Sequence, residues 1–451
     1  MASLLDGCTP WPEEFVDRYW SVGLWRGNTL DNLLRGWALQ YGPRTALVHG
    51  DTRLTYAALN RRVDRRAAGF RLRGLRPGQR VVVQLPNVPE CVVTVFALMR
   101  AGAVPVFCPL AHPASGVAEL VRLTQAVGYV AASTHPFFDH TALAADIAAR
   151  WPFLRRVFTL EAPGESSPYG GLTTDPAGCQ YSPLGSVDAA PEPALAQNAD
   201  QVAFFLLADG DADGDAEAPL LVPRTHNDFA YQARAAAELV SLTEEDVYLA
   251  VPPAESPFVL GSPGIVGTLS VGGTVVLVDT QEPAACLPVV ERERVTLTSV
   301  TSETARLWLD AQPTVRADMS SLRLVQIEGA PADRATAEQV GSAWGCRPQQ
   351  VLGMAEGVLL LTRPADSDGT ALGTQGRPLS SDDQIRIVDA DGEAVPDGES
   401  GELLVRGPYT PRGYYRAPER NARSFTADGY FRTGHLARRA KDGDVEVTGR
   451  L

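Results

Sequence analysis

The chain has 451 residues, 45% of them hydrophobic, which is more than one core organises; a large, multi-lobed globular protein is predicted and whole-chain disorder excluded. Its 54 acidic residues outnumber 40 basic ones, and a net charge of −14 works against nucleic acid and anionic membranes as partners. The first fifteen residues carry Asp6, Glu13 and Glu14 without an apolar run, no stretch reaches a membrane-spanning length, and the six cysteines include no Cys-x-x-Cys pair, so a cytoplasmic protein with reduced thiols is expected.

Apolar residues at helical spacing (Leu30, Leu33, Leu34, Trp37, Leu39) predict a helix over residues 29–42, followed by a strand over 45–49 and a turn at Gly50-Asp51. A second helix is expected from 54 to 73, and the β-branched run 79–85 reads as a buried parallel strand. Helix and strand then alternate: helix 89–102, strand 104–108, helix 118–126, strand 129–130. Residues 162–200 turn rich in Pro, Gly, Ser and Ala and predict an irregular connection. A second series follows, with strands over 202–207, 247–251, 274–278, 297–300 and 322–327 and helices over 229–239, 264–270 and 304–311. Beyond about residue 370, short strands at 384–388, 401–406 and 444–448 are separated by Asp-Gly turns. The expected fold class is α/β: two doubly wound parallel-sheet lobes, 1–200 and 201–345, packed together, with a smaller β-rich lobe of distorted-barrel type over 346–451.

Five separated runs carry a family resemblance: TPWPEEF at 9–15, VQLPNVPE at 83–90, PRTHND at 223–228, QQVLGMAEG at 349–357 and RGPYTPRGYY at 406–415. They resemble the 2,3-dihydroxybenzoate and salicylate AMP ligases of the adenylate-forming superfamily, in family order and at about family spacing. The resemblance implies that ATP and Mg²⁺ activate an aryl acid as acyl-AMP, which then passes to the phosphopantetheine thiol of a carrier protein. It also implies an aryl-acid pocket at Ser256 and Ser262, with Ile327, Gly329, Ala330, Val351, Leu352 and Gly353 as further substrate contacts. Asp209, Gly210, Leu220, Glu328, Leu352, His435 and Arg450 fall on the nucleotide site, and Glu356 falls on the Mg²⁺ ligand.

Several of those positions depart from the family pattern. The loop that should wrap phosphate with small residues and a Lys instead carries Asp209, Asp211, Asp213, Asp215 and Glu217, with Leu220 at the Lys position. Each carboxylate about 5 Å from a triphosphate would repel it by on the order of 1 kcal/mol at an effective dielectric near 20. Glu328 stands where a backbone should lie close to adenine, and Leu352 replaces an aromatic residue, a loss of roughly 1 kcal/mol of ring contact. His435 replaces the Asp that grips both ribose hydroxyls, and Glu255-Ser256 replaces a His-Asn pair in the acid pocket. Glu255 and His435 are the candidate acid–base groups. Asp209, Asp211 and Asp213 also match the start of a calcium loop, but its twelfth position is Leu220 rather than Glu, and a solvated acidic loop is the competing reading.

The chain stops at Leu451, where the family's hinge continues into a lid domain with the catalytic Lys, so that domain is expected to be absent. These departures predict a degenerate ligase homologue that has lost ATP-dependent adenylation. It would need no cofactor, ATP and Mg²⁺ being lost or weak, and would act on an acyl or aryl thioester of a carrier protein in nonribosomal peptide or siderophore-like biosynthesis. An active aryl-acid AMP ligase completed by a separate C-terminal domain, and a non-catalytic carrier-binding pseudoenzyme, are the alternatives.

Overall fold

A computed structural model describes residues 4–133, 140–161, 172–208, 219–440 and 443–451. The chain divides into two compact units: one of Met1–Cys8, Gly27–Pro43 and Leu54–Asn227, the other of Thr9–Arg26, Arg44–Arg53 and Asp228–Leu451.

The first unit is built on an eight-stranded sheet. From one edge its strands run Leu221–Thr225, Val202–Leu207, Val104–Phe107, Arg80–Gln84, Gly128–Ala132, Arg156–Leu160, Gln180–Pro183 and Thr173–Thr174. The inner six are parallel and only the two edge pairings are antiparallel. The β-branched run read from the sequence explains the centre: Val81, Val82 and Val83 are buried on both faces, as a doubly covered parallel strand requires. Helix Tyr56–Leu72 starts where the Thr55 hydroxyl accepts from Ala58 N, and helix Pro89–Arg100 starts with Pro at its first position. Arg100 ends that helix buried, donating to Asp64 Oδ1 and Asn60 Oδ1 at 2.9 Å and to Asp31 O at 2.7 Å. Burial pulls its pKa down to about 10, so the guanidinium stays charged at neutral pH.

The second unit holds a nine-stranded sheet. Eight of its strands lie wholly within the unit, in the order Arg377–Pro378, Leu359–Leu361, Arg347–Gly353, Leu324–Glu328, Leu297–Thr301, Val247–Ala250, Thr274–Leu277 and Thr45–His49. The core on one face joins Leu249, Val276, Val300, Val325 and Ile327 to Trp308 and Trp344. Both indoles are satisfied: Trp308 Nε1 donates to Gln281 O at 3.1 Å and Trp344 Nε1 to Gln312 Oε1 at 2.7 Å. A separate four-stranded antiparallel sheet follows, Gln384–Val388, Gly401–Arg406, Phe431–Arg439 and Val445–Arg450. Beside it the N-terminal helix Glu13–Ser21 contributes to an alternating stack in which Arg386 and Arg406 flank Tyr430, and Arg406 and Arg412 flank Phe15, at 4.1–4.9 Å.

Parallel α/β sheets with a smaller β-rich part are therefore present as expected. Some elements differ. Residues 172–200, within the stretch expected to be irregular, contain strand Gln180–Pro183, whose buried Tyr181 and Ser182 pair in parallel with Arg156–Leu160. Helix Pro283–Glu293 carries an internal Pro288, which masked its periodicity. All six cysteines are free thiols, and no described helix is long and apolar enough to cross a membrane.

Candidate active site

In the second unit's sheet, the strands Arg347–Gly353, Leu324–Glu328, Leu297–Thr301 and Val247–Ala250 are consecutive neighbours and parallel. Their carboxyl ends therefore lie side by side, the position at which open α/β sheets bind ligands. Three segments singled out in the sequence leave the sheet there: Val251–Ser256 region residues Glu255 and Ser256, the turn Gly329-Ala330, and the loop that carries Glu356.

The strand ends beside them are in contact. A Cβ placed on Gly353 would lie 3.8 Å from Glu328 Oε1 and 3.9 Å from a ring carbon of Phe258, so the end of one strand, the carboxylate of the next and helix Pro257–Gly261 meet at one point. Gly329 N donates to Val351 O at 3.1 Å. Buried Gln375 then clamps the turn to the β-rich sheet: its Nε2 donates to Gly329 O at 3.5 Å, while its Oε1 accepts from Val447 N at 2.8 Å. In that sheet His435 and Arg450 are register partners.

Glu356 is the most firmly held acid of the group. It is 3% exposed, and its Oε1 accepts from the Tyr414 hydroxyl at 2.7 Å. Tyr414 is wedged edge-on against Phe425 and Phe431, and its backbone N–H donates to Asn421 Oδ1 at 2.7 Å. Phe431 begins the strand that carries His435, itself buried, with Nδ1 3.1 Å from Thr433 O. With Nδ1–H donating there, Nε2 is the acceptor of the neutral ring: one acceptor where a carboxylate has two. Glu255 is half-buried, and its burial, opposed only by its own backbone N–H, pushes its pKa up to about 7.

The remaining sequence-derived positions fall in several places. Ser256 precedes helix Pro257–Gly261 without capping it through its side chain. Ser262 is buried and accepts from Gln232 Nε2 at 3.0 Å, which occupies its hydroxyl in a structural contact. Ile327 belongs to the apolar core with Val325, on the face opposite Glu328 by strand alternation. Val351 packs with Phe258, Leu359 and Leu361, and Leu352 is 5% exposed. Leu220 lies in the first unit, where Ala208 N donates to Leu220 O at 2.9 Å across the base of a hairpin. Asp209, Gly210, Asp211, Asp213, Asp215 and Glu217 lie outside the described residues, and with them both the phosphate-loop and the calcium-loop readings. Among the described residues no cluster of three or more His, Cys, Asp or Glu could hold a metal ion. Sequence reasoning missed Gln375, Tyr414 and a buried amide ladder, in which Ser299 donates to Gln326 and Gln326 to Gln349, both at 2.9 Å. Only the places of Tyr414 within the 406–415 motif and of Gln349 within the 349–357 motif could have signalled any of them.

The AMP-binding enzyme family matches residues 34–206 and 218–415. The chain is 38% identical to 2,3-dihydroxybenzoate-AMP ligase of Bacillus subtilis over 99% of its own length and 79% of the relative's. It is 38% identical to the salicyl-AMP ligase / salicyl-S-ArCP synthetase of Mycobacterium tuberculosis over 99% and 77%. The solved apo structure of MbtA from Mycobacterium smegmatis superposes with a TM-score of 0.89 at 40% identity, covering 100% of this chain and 81% of that one.

These relatives overturn two expectations. A degenerate protein without adenylation, needing neither ATP nor Mg²⁺, is not what proteins named as AMP ligases at this identity and coverage support. The physical reason is that the departures from the family pattern are mainly side-chain changes on a kept framework. The Glu356–Tyr414 contact and the Gly329–Val351 bond are both in place, while the repulsion attributed to the acidic run rested on residues without a described position. The non-catalytic alternative loses its support for the same reason. The chain belongs to the AMP-binding enzyme family, and within it to the aryl-acid AMP ligases of the adenylate-forming superfamily.

Proposed function

We propose that this chain activates an aryl acid with ATP and delivers the product to a carrier-protein thiol. A carboxylate oxygen of the acid attacks the α-phosphorus of ATP, the bond from that phosphorus to the bridging oxygen breaks, and pyrophosphate leaves. The thiol sulfur of the carrier then attacks the acyl carbon and AMP departs. The observation that carries the proposal is that the segments bearing Glu255, Glu328, Gly329 and Glu356 all leave adjacent carboxyl ends of one parallel sheet, where Glu328, Gly353 and Phe258 meet.

Glu356 fits a magnesium site, because Mg²⁺ is usually held by one or two carboxylates with substrate phosphates and water completing its shell. Bound there, the ion would neutralise phosphate charge. The Tyr414 hydroxyl holds the carboxylate in place by donating to its Oε1. Leu352 supplies an apolar contact to the base. Glu328 offers an acceptor for the exocyclic amine of adenine. The carrier-protein step is supported by the Mycobacterium tuberculosis relative, whose name includes synthesis of an aryl thioester on a carrier protein.

Exchange of labelled pyrophosphate into ATP by the full-length protein tests the proposal, with salicylate, 2,3-dihydroxybenzoate and other aryl acids supplied in turn. Exchange that depends on an aryl acid is expected, and its absence with every acid would overturn the proposal.

A pH effect follows from Glu255. Its carboxyl gains charge as pH rises through about 7, while the aryl acid is an anion throughout. The KM for the acid should therefore rise by roughly tenfold between pH 6 and pH 8, about 1.4 kcal/mol of like-charge repulsion. Glu255→Gln should flatten that rise; a KM profile that climbs as steeply in the variant would remove Glu255 from the acid pocket.

A further inference from the structure

The turn that follows strand Leu324–Glu328 is held at two points. Gly329 N donates to Val351 O on the neighbouring strand, and Gly329 O faces the side chain of Gln375, which is fully buried. The orientation of that amide is settled by its partners. Val447 N is a donor and Gly329 O an acceptor, so the atom 2.8 Å from Val447 N is Oε1 and the atom 3.5 Å from Gly329 O is Nε2. The short bond aims the long one. The backbone of this segment is fixed independently of the side chain: Gln375 N donates to Val445 O at 3.0 Å and Val445 N to Gly376 O at 2.7 Å. Gly376, at φ +72°, lies so close to strand Leu359–Leu361 that a Cβ there would fall 2.1 Å from Leu361 O.

Among the described residues no other group donates to Gly329 O, and the next N–H along the chain, that of Ala330, donates to none. The peptide between Gly329 and Ala330 is trans, and a planar trans peptide sets its C=O and N–H on opposite sides. Turning Gly329 O towards Gln375 therefore turns the Ala330 N–H away from it. Ala330 is half-buried, and its turn leaves the carboxyl end of the strand that bears Glu328. A backbone donor that is unused within the fold and fixed in direction before a ligand arrives suits an anionic oxygen, because no reorganisation is needed at the moment of reaction.

We propose that Gln375 is a positioning residue: by holding Gly329 O it presents the Ala330 N–H to the aryl acid, at the carboxylate oxygen that does not attack phosphorus and becomes the acyl carbonyl. The inference rests on the adenylation reading above. Aryl-acid-dependent pyrophosphate exchange and denaturant midpoints are measured together on the full-length parent, Gln375→Met and Gln375→Glu. Methionine keeps about the length of glutamine and removes both ends of the amide. It should lower kcat/KM for the aryl acid by at least roughly tenfold, the scale of one oriented hydrogen bond, with the KM for ATP within about threefold of the parent's. A carboxyl at position 375 accepts from Val447 N in either protonation state but donates to Gly329 O only when protonated, the form that burial favours. Gln375→Glu should therefore approach the parent at low pH and fall away as pH rises, its kcat/KM relative to the parent being at least roughly fivefold higher at pH 6 than at pH 8. Dividing by the parent's value at each pH removes the effect of Glu255, which the two proteins share. An amide that only stabilised the fold would instead move the midpoint, the KM for ATP and the rate together. Should Gln375→Met not fold, the pH dependence of Gln375→Glu decides. A folded Gln375→Met with kcat/KM above half of the parent's, a Gln375→Glu ratio that does not change with pH, or a loss matched in the KM for ATP would each overturn the proposal. Those outcomes leave the parent exchanging pyrophosphate, whereas no exchange in the parent overturns the adenylation reading itself and this inference with it.

Discussion

Glu356→Gln is expected to lower aryl-acid-dependent pyrophosphate exchange by at least about a hundredfold, the scale of removing a metal-positioning or charge-stabilising group from a transition state. The reasoning runs from burial to charge. Glu356 is 3% exposed and already accepts a hydrogen bond at Oε1 from Tyr414. Glutamine keeps an acceptor for that hydroxyl and the shape of the side chain, but loses the negative charge that a divalent ion requires. Stability should therefore stay near that of the parent. Glu356→Ala should show the same loss of exchange and, in addition, destabilise by about 1–2 kcal/mol, since it leaves the buried Tyr414 hydroxyl without this acceptor. Tyr414→Phe separates orientation from charge: it should retain more than a tenth of the exchange, with a raised Mg²⁺ requirement. Exchange in Glu356→Gln above a third of the parent's would show that the carboxylate does not handle the metal.

How far the sequence reached can be seen from particular residues. The buried run Val81–Val83 and the valines and leucines of the second series were legible because a parallel strand covered on both faces has to be continuously apolar. Helix Pro283–Glu293 was not, because Pro288 breaks the pattern that a solvent-facing turn tolerates. At the site, Glu328 was found because it occupies a family position at a strand end, and Glu356 because it falls in the 349–357 motif on the loop after a strand. Gln375 was not: it acts by joining Gly329 O to Val447 N across 118 residues of chain, and such a clamp has no local pattern. Side-chain substitutions such as Leu352 and His435 were visible, yet their weight was overestimated, because the sequence does not show that the backbone hydrogen bonds around them are kept. Ser262 reads as a pocket residue and proves to be engaged by Gln232.

Gly357→Ala should cost at least about 3 kcal/mol of stability and should also lower exchange, whereas Gly392→Ala should cost only about 1 kcal/mol and leave exchange unchanged. Both glycines have nearly the same left-handed backbone, φ +81° and +84°, so the conformational strain of adding a Cβ is common to the two. The space differs. Around Gly392 nothing lies within 4 Å of the new Cβ; at Gly357 it would fall 1.9 Å from Tyr409 O and 3.2 Å from Thr410 Cα. That carbonyl cannot simply withdraw, because Tyr409 is fully buried and its hydroxyl is held by Asp383. The turn must move instead. Gly357 N donates to Met354 O and Met354 N to Val358 O, both at 2.9 Å, so a displaced Gly357 carries the neighbouring Glu356 away from Tyr414. Denaturant midpoints and exchange rates of the two variants, measured together, decide the matter. Equal destabilisation would mean that φ alone governs these positions, and full exchange in Gly357→Ala would mean that Glu356 is not positioned by its turn.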